Sequence, residues 1–251
     1  SLLHGCVNFR VHDMEFSRFS HAGLSIRGRD ARGVVYASDF LSNYKCQPTP
    51  VDCLGYGVVI AGDADLPRPP LALGTEDAVF VEDSYFHDNR HGIASNYGSR
   101  YVARHNTFVT TPRTRDFGMI DAHGRQDGSS QGSRSWEIYD NTLRMQSPAM
   151  VAADGISLRG GDGVVFGNTL EAGIAYVASL RNETCSGVYP LADQIREAYV
   201  WDNDWNPVPG YNPDSIWVSA SCLPYIQEGR DFFRFARVGY LPYTYPHPLR
   251  S

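Results

Sequence analysis

The sequence predicts an all-β solenoid, a parallel β-helix of about seven coils. Three observations carry this: a six-residue unit that recurs along most of the chain, short apolar segments bounded by glycines, and an excess of turn residues.

The unit reads aliphatic-x-x-(Asn/Ser)-x-(Phe/Leu/Trp). It occurs at Val11 to Phe16, Val35 to Phe40, Val81 to Phe86, Ala103 to Phe108, Ile138 to Leu143, Val165 to Leu170 and Val200 to Trp205. Successive starts lie 24, 46, 22, 35, 27 and 35 residues apart, a minimum period near 22 stretched by insertions. The fourth position runs Met14, Ser38, Ser84, Asn106, Asn141, Asn168, Asn203. Asparagine tolerates a left-handed turn, and its amide can bond to the turns above and below when coils stack, so an asparagine ladder is expected.

Between the units lie Gly23-LSIR-Gly28, Gly57-VVIA-Gly62, Gly92-IASNY-Gly98, Gly118-MIDAH-Gly124 and Gly155-ISLR-Gly160, each of strand length. With 24 glycines and 15 prolines, about 16 % of the chain against a usual ~12 %, turns dominate. A doubly wound α/β domain would need helices of ten or more periodic residues, and only 191–197 suggests a helix. The glycines of GGDGVVFG (160–167) lack a phosphate-loop lysine and read as coil turns.

The expected organisation is a β-helix over residues 1–205 and an irregular Tyr/Pro-rich tail over 206–251 that packs on the rod, together one domain. Ladder donors are lost at the tail's prolines. Ser1 to Cys6 reads like the middle of an element, and the chain is expected to be a processed piece of a longer one. The bare N-terminal edge and the tail are the expected sites of homo-oligomer or other assembly contacts.

On the repeat, and on runs such as SLRGGDGVVFGNTL (157–170) and WEIYDNTL (136–143), the chain resembles the right-handed parallel β-helix proteins of the pectate-lyase-like superfamily, which includes polysaccharide lyases, polygalacturonase-type hydrolases and phage tailspikes. The resemblance covers roughly residues 7–205. It implies a right-handed coil and a polysaccharide partner, and it admits Ca2+. No carboxylates group as an oxygen cage in the sequence, so no cofactor is expected, with Ca2+ as the open alternative.

A net charge of −6, with 22 basic residues of which only Lys45 is lysine, argues against nucleic acid as a partner. Arginine suits planar recognition of carboxylates. No apolar run approaches the ~20 residues of a membrane span. The five cysteines lack metal spacing. Cys46 with Cys53 and Cys185 with Cys222 are candidate disulfides, the alternative being buried thiols. Cys6 is left over, and a secreted or cell-surface setting is expected.

In LSIR, VVIA and ISLR the first and third positions should face inward, leaving Ser25 and Arg27, Val59 and Ala61, and Ser157 and Arg159 outward. MIDAH carries an extra residue. Aligned on Gly124, Ile120 and Ala122 go inward while Asp121 and His123 go outward, the register that avoids burying the aspartate. IASNY exposes Asn96 or Tyr97, and both if a bulge forms. A catalytic group of His123, Tyr97, Asp121 and Arg159 follows, with Arg27, Asn96, His91, Arg125 and Asp127 as substrate-binding residues and no metal ligands. Arg27 lies three coils from His123, about 14 Å. His91 is placed at the groove rim.

Such a group suits β-elimination on an acidic polysaccharide, which needs a cation for the uronate carboxylate, a base for the α-proton and an acid for the leaving oxygen. The expected activity is a polysaccharide lyase. Hydrolysis would use Asp121 with Asp127 or Asp154. From another class, the chain is a non-catalytic glycan-binding or assembly module, in which Arg27 and Arg159 simply bridge coils. The sequon Asn182-Glu183-Thr184 is short enough to arise by chance.

Overall fold

The computed structural model describes residues 2–46, 53–64, 67–126, 130–147, 153–211 and 213–251. Strand follows strand, and the only helical elements among the described residues are two 3-10 turns, Ala220–Cys222 and Pro248–Arg250. Residues 191–197 form a turn with left-handed Asp193 (φ 61°) rather than the suggested helix.

Among the described residues the strands build three parallel sheets, two of eight strands and one of six. Neighbours in each sheet come from successive passes of the chain, an arrangement consistent with a parallel β-helix. The first sheet runs Leu2–His4, Ala22–Arg27, Tyr56–Ala61, His91–Asn96, Ile120–Ala122, Ile156–Leu158, Ala178–Leu180 and Ile216–Val218. Its register aligns Val58, Ile93, Ile120, Ile156, Ala178 and Ile216 in one buried row.

The repeated unit spans the corner between the other two sheets. Its first position gives Val35, Val81, Ala103, Ile138, Val165 and Val200, one buried row of the second sheet. Its sixth gives Phe16, Phe40, Phe86, Phe108, Leu143 and Leu170 in the third. Phe16, Phe40, Phe86 and Phe108 stack nearly parallel, with centroids 5.0, 4.7 and 4.7 Å apart. Each such pair contributes about 0.5–1.5 kcal/mol beyond its area burial.

The left-handed residue of the corner falls one place earlier than expected, at Asp13, Ala37, Asp83, His105, Asp140, Gly167 and Asp202 (φ 46–64°). The following asparagine instead supplies bonds along the stack. The Nδ2 of Asn106, Asn141 and Asn168 donates to the Oδ1 of Asn141, Asn168 and Asn203 at 3.0, 2.9 and 2.8 Å. Each Oδ1 also accepts the backbone N–H of the asparagine before it. Buried backbone donors at the corner are thereby satisfied. Asn43 and Asn89 repeat the device at another corner, 2.9 Å apart.

Regular structure continues past Trp205, into the stretch expected to be irregular. Ile216–Val218 extends the first sheet and Phe232–Phe233 the second. Ile216 and Phe232 supply apolar side chains that the stack's end would otherwise lack, and the intervening prolines fall outside both strands.

The last fourteen residues then run across the second sheet. Fully buried Arg104 binds Glu82 at 2.7 Å, the Tyr139 hydroxyl at 2.9 Å, and the carbonyls of Tyr243 and Thr244 at 2.6 and 2.8 Å. Tyr240 donates to Glu137 at 2.6 Å.

Disulfides join Cys46 to Cys53, across the antiparallel pair Lys45–Cys46 and Cys53–Leu54, and Cys185 to Cys222. Cys6 is free. Two disulfides fit an oxidising compartment. No helix among the described residues is long and apolar enough to cross a membrane.

Candidate functional site

Strand parity sorts the first sheet. Ile120 and Ala122 are fully buried in the core, so Asp121 and, by continued alternation, His123 project from the opposite face. Register sets Ala94, Asp121, Ser157 and Ser179 in one row. One step further along the strands come Ala61 and Asn96 in register, then His123 and Arg159 on the next two coils, tied by the bonds His123 N to Ser95 O and Arg159 N to Ala122 O.

Asp121 faces outward yet is 1 % exposed, because Arg159 grips it. Arg159 Nε donates to Oδ1 at 2.9 Å and Nη2 to Oδ2 at 2.7 Å. The remaining guanidinium nitrogen, Nη1, reaches Glu183 Oε1 at 2.7 Å, and the same oxygen lies 2.9 Å from His123 Nδ1. Asp121, Arg159, Glu183 and His123 thus form one continuous chain of charge-assisted contacts. Nδ1 also faces Gly124 O at 3.2 Å. Both partners are acceptors, so Nδ1 carries a proton, and in the neutral ring the lone pair is on Nε2.

Gly124 makes this approach possible. A Cβ there would stand 2.3 Å from Arg159 O and 2.8 Å from Glu183 Cγ, so any side chain would push the Glu183 loop away.

Burial raises the Asp121 pKa, but attraction to Arg159, His91 and His123 and the two hydrogen bonds from Arg159 hold it well below the usual carboxylate range. Glu183 follows the same balance: burial opposes ionisation, and the His123 bond and Arg159 charge bring its pKa down. Asp154, near the start of the Ile156–Leu158 strand, goes the other way. Burial pushes it up to about 6, opposed by Arg181 and reinforced by Asp116.

A cavity of about 270 Å³ opens beside the chain of charges, lined among others by Arg125, Gln126, Arg159, Asn182, Glu183 and Asp193. A recess of about 450 Å³ shares Arg125, Gln126 and Glu183. Arg125 is exposed, and Gln126 Oε1 accepts from Asn96 Nδ2 at 3.1 Å.

The remaining expected residues divide. Tyr97 takes a left-handed conformation (φ 56°) at its strand's end, leaving both Asn96 and Tyr97 half-buried. Arg27 is three strands from His123 in the register and bonds Ser25 Oγ at 3.2 Å. It stands apart from the cluster. Asp127 lies outside the described residues.

His91 does not rim the groove. It is 4 % exposed, stacks on Tyr56 with centroids 5.7 Å apart, and donates from Nδ1 to Gly118 O at 2.5 Å. Burial, partly offset by Asp121, lowers its pKa to about 4, so it is neutral at pH 7. Its Nε2 meets no partner among the described residues.

Glu183 was missed because it sits inside the sequon and within a long insertion. The signal was parity: Arg181 follows Arg159 on the next coil, its N–H bonding Leu158 O, and Glu183 is two residues beyond it. The sequon itself is structural. Asn182 is buried, its Nδ2 donating to Gln194 Oε1 and its Oδ1 accepting from Ile195 N.

Asp121 and Glu183 are engaged by arginine and histidine, and among the described residues no three His, Cys, Asp or Glu side chains group to hold a metal. The donor set does not fit a calcium cage. Compared with protein-family models, with characterised proteins and with solved structures, the chain matches none.

Proposed function

We propose that the chain is an extracellular carbohydrate-active protein that cleaves an acidic polysaccharide by β-elimination at the His123 site. The observation that carries this is the Glu183–His123 contact, which puts a proton on Nδ1 and leaves Nε2 as the candidate base, with Glu183 itself lining the cavity. Nε2 takes the proton α to the uronate carboxylate. Glu183 stabilises the imidazolium, and Arg159 and Asp121 hold Glu183 in place.

Arg159 is a poor cation for neutralising the substrate, since its single charge already faces the carboxylates of Asp121 and Glu183. Arg125 at the cavity mouth takes that role. The electron pair left at the α-carbon forms the unsaturated bond as the glycosidic oxygen departs, and that oxygen receives a proton from Tyr97 or from the imidazolium. In this reading the fold is a right-handed, pectate-lyase-like coil whose stacked asparagines form a ladder.

The engaged state of Arg159 also favours a second reading, a glycan-binding module in which the cluster is purely structural. Alginate, pectate, glycosaminoglycans and neutral glycans, assayed for unsaturated uronate and reducing ends together, separate the two. Both signals rising supports elimination. Reducing ends alone would move the chemistry to hydrolysis, and silence with retained glycan binding supports the module.

A further inference from the structure

The C-terminal end of the stack holds a cavity of about 720 Å³, far from the charges of the first site in chemistry. Its floor reaches the core at Val177 and Val200, and its walls carry Trp201, Trp205, Asp202, Asp214, Glu228 and Arg234. We propose that it is a second binding site, for a neutral sugar ring.

The aromatic part is preorganised. Trp201 continues an outward aromatic column of the second sheet: Tyr139 stacks on Phe166 at 4.8 Å and 12°, and Phe166 on Trp201 at 4.5 Å and 7°. Tyr240 braces it with a T-shaped contact at 6.4 Å. The partner strand Phe232–Phe233 pairs only with Ala198 and Tyr199, so pairing stops before Trp201 and the cavity begins there. Trp205 donates its indole N–H to Ile174 O at 2.8 Å. Its polar handle is thereby used, and what it offers a ligand is ring surface. Two fixed indoles supply apolar plates at little entropic cost, suited to the C–H face of a sugar.

The polar part is also held. Arg234 donates to both oxygens of Asp214 at 2.8 and 2.9 Å and to both of Glu228 at 3.1 Å. Sugar hydroxyls both donate and accept, so they can bridge such an alternation of guanidinium and carboxylate. Charge excludes an acidic ligand: Asp202, Asp214 and Glu228 face one guanidinium already neutralised by two of them. The selectivity is the reverse of that proposed for the His123 site, and it does not depend on that reading. The volume falls within the usual range for ligand sites.

The test is titration of the folded chain with glucose, galactose, N-acetylglucosamine and cellobiose, and with galacturonate and tetramethylammonium as charged counterparts, followed by tryptophan fluorescence and calorimetry. The expected result is binding of a neutral sugar at about millimolar Kd, weakened about three- to tenfold in Trp201→Phe and in Asp214→Asn and unchanged in His123→Ala. Trp201→Phe keeps the stack on Phe166, so folding is preserved. Failure of every neutral sugar to bind, binding of a charged counterpart alone, or affinity unmoved by both substitutions would overturn the proposal.

Discussion

Arg159 and Asp121 form a two-point ion pair, Nε to Oδ1 at 2.9 Å and Nη2 to Oδ2 at 2.7 Å, with the carboxylate side chain 2 % exposed. The carboxylate is almost wholly out of water, so removing the guanidinium strands it, whereas Arg159 keeps Glu183 as a second partner. Arg159→Met, which leaves the buried Asp121 carboxylate unpaired, should destabilise the fold by about 3–5 kcal/mol, read as a lower denaturation midpoint at unchanged slope. An Arg159→Met, Asp121→Leu double variant should recover most of that loss, as the buried charge disappears with its partner.

Asp154 gives a pH dependence of opposite sign to Asp121. Its folded pKa of about 6 lies above the unfolded value near ~3.9, so the folded state binds the proton more tightly. Asp154 therefore costs stability above pH 6, and that cost fades as the pH falls through 6 toward 4. Asp154→Asn should stabilise the protein by roughly 1–3 kcal/mol at pH 7 and by almost nothing at pH 4. Thermal melts of both proteins across that interval check it. Asp121, with a depressed pKa, contributes stability that is full above the unfolded value and lost only in stronger acid.

The C-terminal segment hangs on Arg104, which is fully buried and binds the carbonyls of Tyr243 and Thr244. Arg104→Met leaves buried Glu82 without its closest cation. A loss of about 3–5 kcal/mol is expected, with new protease cleavage near residues 238–251 under conditions where the parent resists.

Glu183→Gln keeps an acceptor for His123 Nδ1 but removes the charge that supports an imidazolium. In the proposed reaction kcat should fall about 10–100-fold with KM little changed, and the pH–rate profile should move. A purely structural Glu183 would leave that profile in place.

Much of this was legible in the sequence for a simple physical reason: stacking forces equivalent residues into register. The repeat's first and sixth positions emerged as the rows Val35 to Val200 and Phe16 to Leu170. The parity that turned Asp121 and His123 outward also followed from two-residue alternation. Side-chain commitments were not legible. Nothing local says that Arg159 spends its donors on Asp121 and Glu183, that His91 packs against Tyr56 and Phe117, or that a loop sixty residues away supplies the partner of His123. Periodicity also could not show that Ile216–Val218 and Phe232–Phe233 rejoin the sheets, since their pairing depends on the stack already formed.

The most direct measurement is the rate of unsaturated uronate formation by the parent chain and by His123→Ala on the polyuronate that responds best. The expected result is measurable turnover by the parent and a loss of at least about a hundredfold in His123→Ala, with folding and glycan binding retained. Equal rates in the two proteins, or a folded parent that binds polyuronate and never releases unsaturated product, would contradict a catalytic role for the Glu183–His123 pair.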